Sequence, residues 1–196
     1  MIHTPHDEPT ECQKLTLMAM AREPKYVFAH FMVGNTYPYK PETFQKDITL
    51  AQCAGIDGFA LNLGMDNWTP SRIDMMFSVV RDFPHFKLFF SFDMSIIRSA
   101  DVIVEYIVRY ADHPNSFRYR GKVFVSTFAG EQESFGHMDV NTGWEFEIKR
   151  ALLRKRVKIF FVPSWTGVDA WELFRRFPVV DGAFSWAAWY LTSQRD

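Results

Sequence analysis

Long apolar runs are missing from this 196-residue chain, and so are most of the short motifs that announce a particular chemistry. No stretch reaches the roughly 18 consecutive apolar residues that a membrane-crossing helix needs, so no membrane partner is expected. Leu15 to Ala21 is apolar over only seven residues, follows Asp7, Glu8 and Glu11, and lacks a basic flank, which leaves no legible export signal. Cysteine is scarce. Cys12 and Cys53 stand at a spacing that matches no zinc or redox pattern, and two thiols define no disulfide framework, so both read as unpaired. Neither His-x-His nor His-Glu-x-x-His occurs, which removes support for metal-assisted hydrolysis. Glycine-rich phosphate loops and Gly-x-Ser-x-Gly are absent as well, which disfavours nucleotide chemistry and a serine hydrolase. No motif calls for a cofactor. An excess of charge of one sign is also lacking: 22 basic residues face 23 acidic ones, so no global field favours nucleic acid or an anionic membrane surface. A neutral partner fits better.

What the chain does carry is apolar and aromatic mass. The apolar share is 47% and the aromatic share 17%, with 20 Phe and 6 Trp, enough for one domain with a large packed core. From Tyr26 onward, short runs of Phe, Val and Ile alternate with longer helix-periodic stretches, the pattern of repeated strand–helix units around a parallel sheet and hence of an α/β fold. Six strands are expected at Val27–Val33, Gly58–Leu63, Phe86–Asp93, Val123–Phe128, Lys158–Pro163 and Asp181–Trp186. Pro41 suits a first helical turn, and Phe44, Ile48, Ala51 and Ala54 recur at spacings of three and four before Gly55. Thr69-Pro70 opens a second helix with Ile73, Met76, Phe77 and Val80 on one side, and Ser99 or Asp101 caps a third that His113-Pro114 ends. Thr142 to Lys155 and Val168 to Phe177 supply two more. Residues 1–24 read as a weakly ordered leader or a start that differs from the native one, 25–190 as the domain, and 191–196 as a tail.

In parallel α/β architectures, reactive groups collect where the strands end, because the loops that follow open on one face. The polar residues at those ends are Asn35 and Tyr37 after the first strand, Asn62 and Asp66 around the second, and Asp93 at the third. Ser126, Thr127 and Glu131 follow the fourth, Ser164 and Trp165 the fifth, and Ser185, Trp186 and Trp189 the sixth. Strand alternation sharpens one of them. In Leu88-Phe89-Phe90-Ser91-Phe92-Asp93, Ser91 and Asp93 share a face and Leu88, Phe90 and Phe92 take the other, which turns Asp93 toward the mouth. A carboxylate among aromatics there must be paired, hydrogen-bonded or reactive. Asp66 and Glu131 read equally as loop acids that cap helices, and His30 as a packed core histidine or a sugar contact. Trp68, Trp165, Trp186 and Trp189, with Tyr37 and Tyr39, would give the mouth flat apolar surfaces with polar edges. Sugar rings present one apolar face and many hydroxyls, so such a mouth suits a glycan.

At these residues the sequence resembles glycoside hydrolase family 71, the fungal α-1,3-glucanases or mutanases. The matching stretches, in family order, are VFAHFMVGNTYPY (27–39), AGIDGFALNLG (54–64), KLFFSFDMS (87–95), GKVFVSTFAGE (121–131), FFVPSWT (160–166) and DGAFSWAAW (181–189). The resemblance implies a (β/α)8 TIM-type barrel, of which about six of the eight units are present, and endo-acting hydrolysis of α-1,3-glucan with inversion. Inverting hydrolysis needs one carboxylic acid to protonate the leaving oxygen and one carboxylate to activate water, roughly 6.5–9.5 Å apart. Asp93 matches an acid that the family requires in the site, with a role in positioning substrate or water. His30, Asn35, Asn62 and Trp165 match family motifs and are expected to contact glucan. The family's other acids come from a Trp-Asn-Asp-Tyr-Gly-Glu-like segment that does not occur in these residues, and Ala187 stands where the family tends to carry Asn or Asp.

Barrels of eight units typically need about 250 residues. A sheet that stops at six strands leaves both edges open, so the expectation is a truncated product or incomplete gene model, or else self-association through those edges. Hydrolysis by this chain alone is expected to be impaired. The alternative is a non-catalytic glucan-binding or vestigial fragment. Family members are usually secreted or associated with the cell wall.

Overall fold

The computed structural model describes residues 25–186, so the expected leader, the tail, Cys12 and Trp189 lie outside the described residues. Strand β1 (Phe28–Met32) leads through a 3-10 turn (Val33–Thr36) to helix α1 (Pro41–Cys53), which starts on Pro41 and buries Phe44, Ile48 and Ala51. Gly55, at φ 76°, turns the chain into β2 (Gly58–Leu63), whose six residues are all buried, as expected of an inner parallel strand covered on both faces. Helix α2 (Thr69–Val79) buries Ile73, Met76 and Phe77 and runs into β3 (Lys87–Asp93). Helix α3 (Ala100–Tyr110) follows, with Ser99 at the cap position but no side-chain cap bond.

The next unit is less regular. A two-residue strand, β4 (Arg118–Tyr119), pairs antiparallel with the start of β5 (Lys122–Phe128), while Ser116 bridges back to Leu88. Helix α4 is a composite of an α-turn (Val140–Gly143), a π-helical stretch (Trp144–Arg150) and a closing α-turn (Ala151–Arg154). Strand β6 (Ile159–Phe161) and helix α5 (Ala170–Arg176) complete the elements, the latter begun by Asp169, whose side chain accepts from the Trp171 N–H at 2.8 Å.

Apart from β4, the strands pair in parallel in the order β1-β2-β3-β5, with β6 on β5. The expected sixth strand is corrected. Residues 181–186 form no strand, and backbone hydrogen bonds join them to β6 and the residues just after it, from Asp181 N to Phe161 O (2.7 Å) and from Phe184 N to Pro163 O (3.0 Å). The Asp181 carboxylate also accepts from the Phe161 N–H at 3.0 Å, taking a donor that a regular ladder would give to a backbone carbonyl.

Two apolar cores lie on opposite faces of this sheet. The larger, with Phe59, Leu61, Leu63, Phe90, Phe92, Val125 and Phe161, faces the helices. The smaller lies on the other face, where Ala60, Phe89 and Phe117 pack with Phe28, Tyr119, Phe124 and Phe184. The alternation read from the β3 sequence is the one observed: Leu88, Phe90 and Phe92 turn to the helices and Phe89 turns inward.

Candidate functional site

Strand register lays the inner face out in tiers. Ala60 is opposite Phe89 and Phe124 is opposite Phe160, which makes an aromatic floor toward the start of the strands. Two residues further along, about 6.6 Å up each strand, the side chains become polar. Asn62 pairs with Ser91 and Ser91 with Ser126, while Ser164 bridges Phe128 one tier higher. All four are buried, and the Asn62 Nδ2 donates to the Ser91 carbonyl at 3.3 Å. The hydroxyls of Ser91, Ser126 and Ser164 have no hydrogen-bond partner among the described residues. A buried orphan of this kind costs about 1–3 kcal/mol, so three in neighbouring tiers depart from what a purely structural core would select.

Asp93 stands at the end of β3, in the inward parity of Phe89 and Ser91, and is partly exposed. Its Oδ1 accepts from both the N–H (3.0 Å) and the hydroxyl (2.5 Å) of Ser95, and its carbonyl accepts from Ile96 and Ile97 N–H groups at 3.1 and 2.8 Å. These bonds fix the side chain and occupy one oxygen. Oδ2 has no partner among the described residues, so a fixed carboxylate oxygen remains for a hydroxyl or water. Ser95 was not singled out from sequence, although Asp-x-Ser is a recognisable side-chain turn signal.

The His30 ring stacks on Trp186 with centroids 3.7 Å apart, and Phe128, the register partner of Asp93, meets the same indole edge-on at 5.0 Å. Burial holds the His30 imidazole below its ordinary pKa, which favours the neutral ring. His30 Nδ1 and Trp186 Nε1 are buried without partners among the described residues. Across the mouth, Trp68 donates its indole N–H to the Gly34 carbonyl at 3.2 Å and braces the exposed Tyr37 ring edge-on at 5.0 Å. Asp66 comes so close to Gly34 that a Cβ there would lie 2.9 Å from its Oδ2, and Asn35 stands exposed in the turn between them. Glu131 follows a tight turn with two positive φ angles, Ala129 (56°) and Gly130 (102°), and its Oε2 is buried and unpartnered among the described residues.

The structure therefore sets Asp93 and Glu131 at the strand ends, where Trp186 packs on Phe128, with Asn62 one tier below Asp93 and His30 two tiers below it in the row of Ala60 and Phe89, while Tyr37, Asp66 and Trp68 group on the β1–β2 side. Two aromatic expectations change. Trp165 is only 5% exposed and its ring packs edge-on against Phe161 and Phe177, so it offers an N–H rather than a stacking face. Tyr39 packs on Phe31 and Phe44 on the helix side, away from the mouth, because Pro41 begins α1 immediately after it. Among the described residues, no group of three or more His, Cys, Asp and Glu is arranged to hold a metal ion.

The model of Glycosyl hydrolase family 71 matches residues 23–196. The glucan endo-1,3-alpha-glucosidase agn1 of Schizosaccharomyces pombe is 49% identical over 181 residues, 90% of this chain and 42% of that protein. The ascus wall endo-1,3-alpha-glucanase of the same yeast is 38% identical over 86% of this chain and 40% of its own length, and a mutanase of Penicillium rubens is 36% identical over 85% and 35%. The chain thus spans about two fifths of the length of these relatives. Among solved structures, the GH99 endo-alpha-mannosidase of Bacteroides thetaiotaomicron superposes with a TM-score of 0.56 at 17% identity, covering 74% of this chain and 43% of that one, a likeness of fold alone.

Proposed function

Because the chain belongs to glycosyl hydrolase family 71, we propose that its sheet is part of a (β/α)8 barrel whose open strand ends bind α-1,3-glucan for endo-acting, inverting hydrolysis. The observation that carries this reading is the fixed carboxylate of Asp93 at the end of an inward-facing column, above buried polar residues and paired in register with Phe128, on which Trp186 packs. An oxygen held by Ser95 leaves its neighbour oriented without reorganisation, as a group that positions a hydroxyl or a water needs to be. Tyr37 supports the same reading: an exposed ring, braced by Trp68, presents a flat apolar face of the kind on which a pyranose stacks. The two yeast relatives whose names specify an endo-1,3-alpha-glucanase or glucosidase share 49% and 38% of the residues compared.

Inversion needs a second carboxyl group across the scissile bond. The 196 residues contain no Trp-Asn-Asp-Tyr-Gly-Glu-like segment to supply it. Losing one member of an acid–base pair forfeits typically about 10²- to 10⁴-fold in rate, so these residues by themselves serve to hold glucan and not to cleave it at a useful rate.

Co-sedimentation with insoluble α-1,3-glucan, set beside β-1,3-glucan and a reducing-sugar assay, tests this. The expected result is retention on the α-linked polymer, no sugar release, and retention about 10-fold weaker in Asp93→Asn, whose neutral amide can still accept from Ser95. Equal retention on both polymers, or none, would sink the glucan reading. Clear turnover that disappears in Asp93→Asn would overturn the account of the missing acid.

A further inference from the structure

The loops that follow β3 and β5 enclose a crevice of about 280 Å³ beside the turn that holds Asp93. Met94, Ser95 and Arg98 line it from the first loop, and Gly130, Gln132 and Glu133 from the second. Both walls are fixed by backbone bonds. The Met94 N–H donates to the Phe128 carbonyl at 3.0 Å, and the Ala129 N–H donates to the Ser164 carbonyl at 3.0 Å. Left-handed backbone at Ala129 (φ 56°) and Gly130 (φ 102°) presses the second loop onto the first, where a Cβ on Gly130 would meet Met94 Cγ at 2.7 Å. Ser95, whose hydroxyl holds Asp93 Oδ1, belongs to the same lining, so the crevice adjoins the carboxylate.

Arg98 is held in this space by a second residue. Its Nη1 lies 3.2 Å from Glu133 Oε2, and Glu133 is held in turn because its Oε1 accepts from the Phe135 N–H at 2.9 Å. The Glu133 side chain is 14% exposed and that of Arg98 71%, so the carboxylate is enclosed while the guanidinium stands open. An ion pair with one partner so exposed adds at most about 1 kcal/mol to stability, which is little for loops already tied through their backbones. A guanidinium carries five N–H donors, and Glu133 takes one of them. Glu131 and Glu133 share the lining with Arg98, so an anion would meet carboxylates and a cation would meet the guanidinium. A neutral ligand with several hydroxyls escapes both penalties and can accept from the free donors. We infer that Arg98 is a glucan-binding residue, whose remaining N–H groups donate to the hydroxyls of a glucosyl unit seated in this crevice beside Asp93, and that Glu133 positions it. The inference rests on the glucan reading above and deepens it by adding a contact outside the inner face of the sheet.

Calorimetric titration with an α-1,3-linked glucose tetrasaccharide, read beside the thermal midpoint of each variant, tests this. Arg98→Met keeps the apolar stem and removes the donors; it is expected to bind about 10-fold more weakly and to unfold at the same temperature. Arg98→Lys, a point donor without the fork, is expected to fall between. Glu133→Gln keeps an oxygen for the Phe135 N–H and loosens its hold on Arg98, so it should weaken binding alone and add nothing in combination with Arg98→Met. Unchanged affinity in Arg98→Met overturns the subsite, and a lowered midpoint with that unchanged affinity assigns the ion pair to holding the loops together. Additive losses in the double variant overturn the positioning role of Glu133. In each of these cases binding that is weakened by Asp93→Asn leaves the glucan reading standing, whereas a parent chain that binds no tetrasaccharide removes the glucan reading and the subsite with it.

Discussion

Single residues set the chemistry of this mouth by being fixed and incompletely satisfied. Asp93 is immobilised through one oxygen, and His30 is flattened against Trp186 with an Nδ1 that has no partner among the described residues. Burial lowers the His30 pKa below its ordinary 6.5, and burial, reinforced by Arg81, lowers that of His113 too. A histidine whose folded pKa is depressed binds its proton more readily in the unfolded chain, so stability rises with pH across the interval. The loss on acidification begins near pH 6.5 and continues down to the folded pKa. Thermal unfolding followed from pH 7.5 to 5 should therefore show a falling midpoint, and His30→Gln should reduce the slope. A slope unchanged by that substitution would mean that His30 titrates alike in both states. His30 and Asp93 were both legible as candidates, because a polar residue within an apolar strand stands out against its neighbours. What each touches was not legible. The stacking of His30 on Trp186 joins residues 156 positions apart, and no local pattern encodes that.

Helix α4 shows how an element can depart from its periodic reading. Trp144, Ile148 and Leu152 recur at spacings of four and are all fully buried. In a regular α-helix of 3.6 residues per turn, each step of four overshoots by about 40°, which would swing the last of three side chains well off the core. The wider π-helical turns over Trp144–Arg150 reduce that drift and keep the three in line. Trp144 is stacked on Phe161 of β6 at 4.2 Å and meets Phe135 edge-on, so this element ties β6 to the loop after β5. Trp144→Ala should cost about 3–5 kcal/mol, read by chemical denaturation, whereas the partly exposed Phe146→Ala should shift stability by less than about 1 kcal/mol. The helical character of Thr142 to Lys155 followed from apolar spacing. The change of turn did not, because spacings of four fit an α-helix nearly as well over two repeats.

At the scale of the whole molecule, one partly buried carboxylate, Asp181, fastens the last described segment to the sheet. Burial pushes the Asp181 pKa up, but the Phe161 N–H together with Lys149 and Lys122 outweighs it and holds the carboxyl below its usual range. Lys149 Nζ lies 3.1 Å and Lys122 Nζ 3.3 Å from its oxygens. The pair with the folded pKa depressed contributes stability above about pH 3.8 that is lost as the group protonates. Asp181→Asn should destabilise the protein by about 2 kcal/mol at neutral pH, measured by denaturant unfolding, with the difference from the parent narrowing toward pH 3. An undiminished difference at low pH would assign the effect to packing and not to charge.

By itself the sequence determined the parallel α/β class, five of the six expected strands, the five helices to within a few residues, and the face to which Asp93 turns. These follow from local periodicity, since side chains alternate along a strand and recur every three to four residues along a helix whatever the rest of the chain does. Tertiary structure alone decided that residues 181–186 attach to β6 through Asp181 without a regular ladder, that Trp165 turns its ring into the core and its N–H toward Gly130, and that Glu131 comes against Gly167 in the loop after β6. The physical reason is that a buried polar atom is defined by what surrounds it, and its surroundings come from strands and loops distant in the chain.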